Sequence, residues 1–195
     1  GLLKANMPPI PLFASTQTNI RTVEQAKLLE ELGFSRLILA RELSIRQIEE
    51  IRASTKAELE AFIHGALCVS YSGQCYMSER LTGRSANRGS CVQACRSQYN
   101  LVDSNGKVLV KDKPLLSLKD LNLGEYIPQL ARAGVSSFKV EGRLKNISYI
   151  KNVIRYYRML IDNFTEHDHS FSRASAGRLH GGFTPRPEST FNRGY

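Results

Sequence analysis

Residues 10–67 alternate short apolar runs with amphipathic stretches, and no other feature of the chain narrows its fold as far. Residues 10–17 (IPLFASTQ) read as a short buried strand closing on Thr16 and Gln17. A helix follows over about 22–32, opened by the capping-box spacing of Thr22 and Gln25 and stopped at Gly33, where a left-handed cap is wanted. Residues 36–40 (RLILA) form the next strand and close on Arg41 and Glu42. Ser44 and Gln47 repeat the capping box and open a helix to about Ala53. Residues 57–67 are a third strand, ending at His64 and Gly65. Strand, helix, strand, helix, strand predicts parallel pairing with right-handed crossovers.

The alternation then stops for about 45 residues, far longer than the 2–6 of an ordinary strand-to-helix loop. Inside the gap, Tyr99–Val102 and Lys107–Val110 flank Asp103-Ser104-Asn105-Gly106, and Asn-Gly between apolar runs signals a hairpin. Regular alternation resumes with a strand at Pro114–Ser117, a helix over about 123–133 and a strand at 135–140 (VSSFKV) that closes on Glu141-Gly142-Arg143. A helix over about 146–162 keeps Ile147, Ile150, Ile154, Tyr157 and Ile161 on one face. Beyond it, residues 165–195 read as a loop-rich tail. The tail holds His167, His169 and His180, which suit a solvated loop better than a metal site.

All four cysteines lie in the gap, with the spacing C-x6-C-x15-C-x3-C at Cys68, Cys75, Cys91 and Cys95. Structural zinc sites usually show C-x2–4-C pairs, and only Cys91 and Cys95 approach that spacing. Iron–sulfur clusters take four thiolates from irregular loops at wider spacings, and nearby Gly73, Gly83 and Gly89 would let backbone amides approach cluster sulfurs. A four-iron cluster, a zinc ion and unligated thiols all remain open on spacing alone. Nucleophilic pairing of Cys68 with His64 ranks lowest, because positions i and i+4 of a strand lie too far apart to hydrogen-bond.

The net charge of +9 favours polyanionic partners, nucleic acid first. The residues between Glu79 and Asp103 carry Arg80, Arg84, Arg88 and Arg96 and no acid. No apolar run is long enough to span a bilayer, no secretory signal is legible, and the few cysteines do not make a disulfide scaffold. A reducing, cytoplasmic location follows as the expectation. In parallel α/β folds chemistry gathers at the carboxyl ends of strands. Here those ends carry Gln17, Arg41 and Glu42, His64, and Glu141 with Arg143. Lys139 faces away from Phe138 and Val140 and calls for a carboxylate partner, which Glu42 or Glu141 could supply.

The run from Glu60 through His64-Gly65 and Cys68 to Ser72-Gly73-Gln74-Cys75 resembles the signature of the collagenase-like peptidase family, peptidase family U32. The likeness continues through Gly83–Gly89 (GRSANRG), Cys91 and Cys95. It includes Ala14–Gln17, Leu39–Ser44, Ser117–Leu121 and Lys139–Arg143, and it covers about residues 10–162.

The resemblance implies a TIM-like (β/α)8 barrel, of which residues 1–164 are similar to the second half, with a cysteine-containing insert at 68–113. It implies an oxygen-independent hydroxylation protein acting on tRNA or rRNA, with prephenate linked to the reaction. A 4Fe–4S cluster would be held by Cys68, Cys75, Cys91 and Cys95. His64, Glu42, Lys139 and Glu141 would be the catalytic groups, and Gln17, Arg41, Arg84, Arg88, Lys119 and Arg143 would bind substrate. The family name points to the alternative, a metal-dependent peptidase using His64 with Glu60 or Glu42. An RNA-binding module with purely structural cysteines is the non-enzymatic reading. A family barrel would begin with about four further strands, so the chain reads as a fragment with open sheet edges. The missing N-terminal half, or a second copy related by a two-fold axis, could close it.

Overall fold

A computed structural model describes residues 6, 9–174, 176–177 and 181–194 of the chain. Strand β1 (Leu12–Ala14) leads through a short 3-10 turn to helix α1 (Val23–Glu31), then β2 (Phe34–Ile38), α2 (Ile45–Ser54) and β3 (Glu58–Ala66). The insert carries the short helix α3 (Met77–Thr82) and a hairpin of β4 (Tyr99–Val102) and β5 (Val108–Lys113). Strand β6 (Asp120–Asn122), helix α4 (Ile127–Arg132), β7 (Val135–Val140) and α5 (Ile147–His167) complete the order.

Both expected capping boxes form. Thr22 and Ser44 each accept from the backbone amide three residues on, and Gln25 and Gln47 reach back to the cap amides. Asn146 caps α5 by accepting from the Tyr149 amide. These bonds satisfy amides that helix geometry leaves free, and so fix where each helix starts.

Four strands run parallel: β1 with β2, β2 with β3, and β3 with β7. Among the described residues β1 and β7 pair on one side only, so the sheet is open at both edges. Strand β3 is the centre because its nine residues alternate apolar side chains on one face. Leu59 and Ile63 on that face pack with Leu37, Ile51, Ile127 and Val153. The opposite face is polar and aromatic. Glu60, buried there, accepts from Arg36 (3.2 Å) and Ser137 (2.8 Å) and pairs with Lys139 (3.3 Å).

The α/β class and the hairpin stand, and two expectations are corrected. Pro114–Ser117 is a turn, not a strand: Leu115 and Ser117 donate to Lys113 and Pro114, and Leu115 and Leu116 stay exposed. Pro114 has no N–H to give a ladder, and exposed leucines gain nothing from one. The strand lies six residues later as β6, and it runs antiparallel to the end of β3. The tail also differs from a free loop. Helix α5 runs on to His167 because Phe164 is buried and stacks on Phe171 at 4.9 Å. Further on, Arg186 and Asn152 exchange two hydrogen bonds, and the Gly194 carbonyl accepts from the Asp120 amide. His180 lies outside the described residues. No helix among the described residues is long and apolar enough to cross a membrane.

Candidate functional site

The carboxyl ends of the parallel strands and the insert together enclose a cavity of about 640 Å³. Cys68, Cys75, Cys91 and Cys95 all line it. Cys68 lies just past the end of β3, Cys75 precedes α3, Cys91 follows α3, and Cys95 sits within the 3-10 turn Ala94–Arg96. The insert has little regular structure, so side chains brace its backbone. Asn87 accepts from the Cys75 amide (2.9 Å), Ser78 from the Val92 amide (3.2 Å), and Tyr99 donates to the Ala94 carbonyl (2.7 Å). The Gln93 amide donates to the Cys91 sulfur at 3.4 Å.

Several contacts tie the insert to the sheet, among them the Gln17 side-chain amide, which donates to the Ala86 carbonyl at 3.3 Å. Glu42, just after β2, accepts from both the backbone and hydroxyl of Ser72 (2.6 and 3.2 Å). Gly73 adopts φ +70° and packs on the Gln17 carbonyl so closely that a Cβ would collide with it. Gly65 (φ +105°) meets the same constraint near the end of β3, where a Cβ would stand 2.6 Å from the Glu141 carbonyl oxygen. Only glycine suits both the left-handed backbone and the close approach.

The thiols are free of disulfides. Burial pushes the Cys95 thiol up from its ordinary pKa; nearby Arg96 opposes this, and Cys68, Cys91 and Cys75 add to it. Cys95 therefore lies within electrostatic reach of the other three thiols. Among the described residues no three His, Cys, Asp or Glu side chains gather round one ion. A four-iron cluster puts each thiolate on a different iron, so its sulfurs stand further apart than four around one zinc. The donor chemistry and the shared cavity fit that group.

Cations reach the same cavity from four segments: Arg41, Arg96, Arg143 with Lys145, and Arg193. Arg41 stacks over the Phe62 ring at 4.2 Å. Arg193, in the tail, pairs with buried Asp120 at 2.8 Å. Lys145 stands 4.0 Å from the same carboxylate and donates to the Phe191 carbonyl at 3.3 Å. Burial holds the Lys145 ammonium below its usual pKa, and Arg193 and Arg96 lower it further against the pull of Asp120. Positive charge here is confined, and the two carboxylates, Asp120 and Glu141, do not balance the five cations.

The structure sorts the expected site residues. Gln17, Arg41, Glu141, Arg143 and the four cysteines line the cavity. Arg84, Arg88 and Lys119 are exposed outside its lining. Glu42 braces Ser72 from behind the lining. Lys139 takes Glu60 as its partner, not Glu42 or Glu141, and lies over Phe62 on the polar sheet face. His64 is only 1% exposed, packed between the rings of Tyr149 and Tyr157, with Nδ1 3.2 Å from the Tyr157 hydroxyl. Burial depresses its pKa to about 4, so the ring is neutral near pH 7. His64 does not line the cavity; its ring packs between the end of β3 and the tyrosines of α5. Glu60 and Glu42 are engaged by other partners, so no His64–carboxylate metal pair is assembled.

Sequence reasoning assigned no role to Lys145, Arg193, Asn87 or Tyr76. Lys145 follows the Glu141–Arg143 motif by two residues, which was the available signal. Arg193 comes from a tail read as loop, and only the Asp120 contact reveals its place.

The profile of peptidase family U32 matches residues 1–195. The chain is 52% identical over 194 residues to the 23S rRNA 5-hydroxycytidine C2501 synthase of Escherichia coli, covering 100% of this chain and 30% of that protein. It is 38% identical to the tRNA hydroxylation protein P1 of Bacillus subtilis, over 84% of this chain and 40% of that one. It is 42% identical to an uncharacterized protease of Methanocaldococcus jannaschii, MJ0090, over 82% of this chain and 41% of that one. The chain thus spans less than half the length of these curated relatives.

Proposed function

The chain belongs to peptidase family U32, and from that premise we propose that it is the cluster-bearing region of an oxygen-independent RNA base hydroxylation enzyme. The observation that carries this reading is the convergence of all four thiols on one cavity that five cationic side chains share. A 4Fe–4S cluster on Cys68, Cys75, Cys91 and Cys95 would supply one-electron transfer when bound. Hydroxylating a ring carbon replaces C–H by C–OH and removes two electrons, so a redox centre suits the chemistry.

The chain's own residues do the rest. Burial of Cys95 and the N–H donated to Cys91 set the surroundings of the thiolates. Glu42 and Gly73 hold the insert in register with β1 and β2. Arg41, Arg96 and Arg143 offer charge to RNA phosphates. Lys145 and Arg193 are more recessed and suit the carboxylates of a prephenate co-substrate. The hydroxylation names of two relatives support the RNA substrate. The protease name of a third keeps the peptidase reading as the alternative, although His64 is turned away from the cavity.

The open sheet edges at β1 and β7 support a TIM-like barrel in the parent protein, closed by further strands or by a second copy of this half. The test is nucleoside mass spectrometry of tRNA and rRNA from cells whose only copy of the full-length protein carries Cys91→Ser. Loss of one hydroxylated pyrimidine is expected. A modification pattern identical to wild type would contradict the proposal.

A further inference from the structure

Six exposed apolar side chains line the cavity beside its cations, Val69, Tyr71, Tyr76, Leu116, Leu144 and Phe191, and the proposed function gives none of them a role. Tyr76 is 67% exposed at the N-terminal side of α3, and Leu144 is 87% exposed in the loop after β7. One exposed leucine would signify little, but several large apolar side chains exposed around one cavity form a patch of the kind that marks a binding surface. Leu144 also holds φ +60°, a backbone state that a leucine adopts at a cost. The other two aromatic residues of the lining differ from Tyr76: the Tyr71 ring is already covered by the Arg21 guanidinium at 4.6 Å, and the Phe191 ring by the Lys145 ammonium at 4.5 Å.

An aromatic face beside guanidinium groups is the chemistry that binds single-stranded nucleic acid, with stacking on the base and charge on the backbone. Arg41, Arg96 and Arg143 supply that charge in the same cavity, with Glu141 the acid among its lining. The volume of about 640 Å³ exceeds what one nucleotide needs. A base inside a duplex could not reach thiols set within a cavity, so a reacting base must leave its stack.

We propose that the cavity receives one nucleotide turned out of a single-stranded RNA segment, with its base stacked on Tyr76 and Leu144 and its phosphates on Arg143 and Arg96. This rests on the RNA reading above. It adds the residues that hold the base and the requirement that the target lie in unpaired RNA.

The test measures binding of a short fluorescein-labelled single-stranded RNA, and of a duplex of the same sequence, to the chain at several salt concentrations. Tyr76→Ala should weaken single-strand binding about 5- to 100-fold with no change in salt slope. Tyr76→Phe, which keeps the ring, should bind as wild type, and Tyr76→Ala should leave duplex binding unchanged. Arg143→Gln should lower the salt slope by about 1. Wild-type binding that Tyr76→Ala leaves intact would overturn the stacking site and leave the RNA reading standing. An equal loss on duplex would also overturn it. A wild-type chain with no salt-dependent RNA binding would sink the RNA reading, and the proposal with it.

Discussion

The helix-backed sheet and the cysteine insert are held by different forces. In the sheet, Leu37, Leu59, Ile63 and Val153 are nearly or wholly removed from water, and stability comes from burial. Between Cys68 and Ser97 only Ser72, Ser78 and Ala86 are buried. The insert is held by scattered hydrogen bonds, such as Cys75 to Asn87 and the pair from Ser72 to Glu42, and by a close backbone contact at Gly73. The sheet carries its own core, whereas the insert needs the sheet as a foundation and, on the proposed function, a cluster as a clasp.

Four substitutions would break or sharpen this contrast. Leu59→Ala should cost about 2–5 kcal/mol in chemical denaturation of the whole chain, since it leaves a cavity beneath the central strand. An effect confined to the insert would refute the division.

The second concerns pH. The His64 pKa is about 4 in the fold against 6.5 ordinarily, so as pH falls the unfolded chain takes up a proton before the folded one. Stability from the neutral ring is whole above pH 6.5, drains away between 6.5 and 4, and levels off below. The total is on the order of 3 kcal/mol. The difference in unfolding free energy between wild type and His64→Gln should follow that window, and a flat difference would mean that the ring titrates normally.

Gly73→Ala should cost about 1–3 kcal/mol locally, from the collision with Gln17 and the left-handed backbone. Hydrogen exchange should rise across 68–98 while β2 and β3 stay protected. Asn87→Ala is the mildest, about 1 kcal/mol, and should loosen the Cys75 amide without moving the global transition.

The same contrast explains what the sequence disclosed. The βα units were legible because capping boxes and apolar periodicity are local signals, and Thr22, Ser44 and Asn146 cap as expected. The clustering of the cysteines marked the segment whose side chains line much of the cavity. Partners distant in sequence were not legible. Lys139 took Glu60 from the neighbouring strand, and Arg193 crossed from the tail to Asp120. His64 looked reactive at a strand end, but a register shift near Phe62 and His64 and the rings of α5 bury it. Pro114–Ser117 looked like a strand because its apolar pattern says nothing about whether a neighbour is there to cover it.

The central claim is that four thiolates from one loop hold an iron–sulfur cluster at the mouth of the sheet. Anaerobic reconstitution with iron and sulfide, followed by absorption spectra and a metal count, tests it most directly. The account predicts a brown protein with about four irons per chain, lost in Cys91→Ser while the folded sheet persists. A colourless protein that holds one zinc tightly and takes up no iron would contradict it.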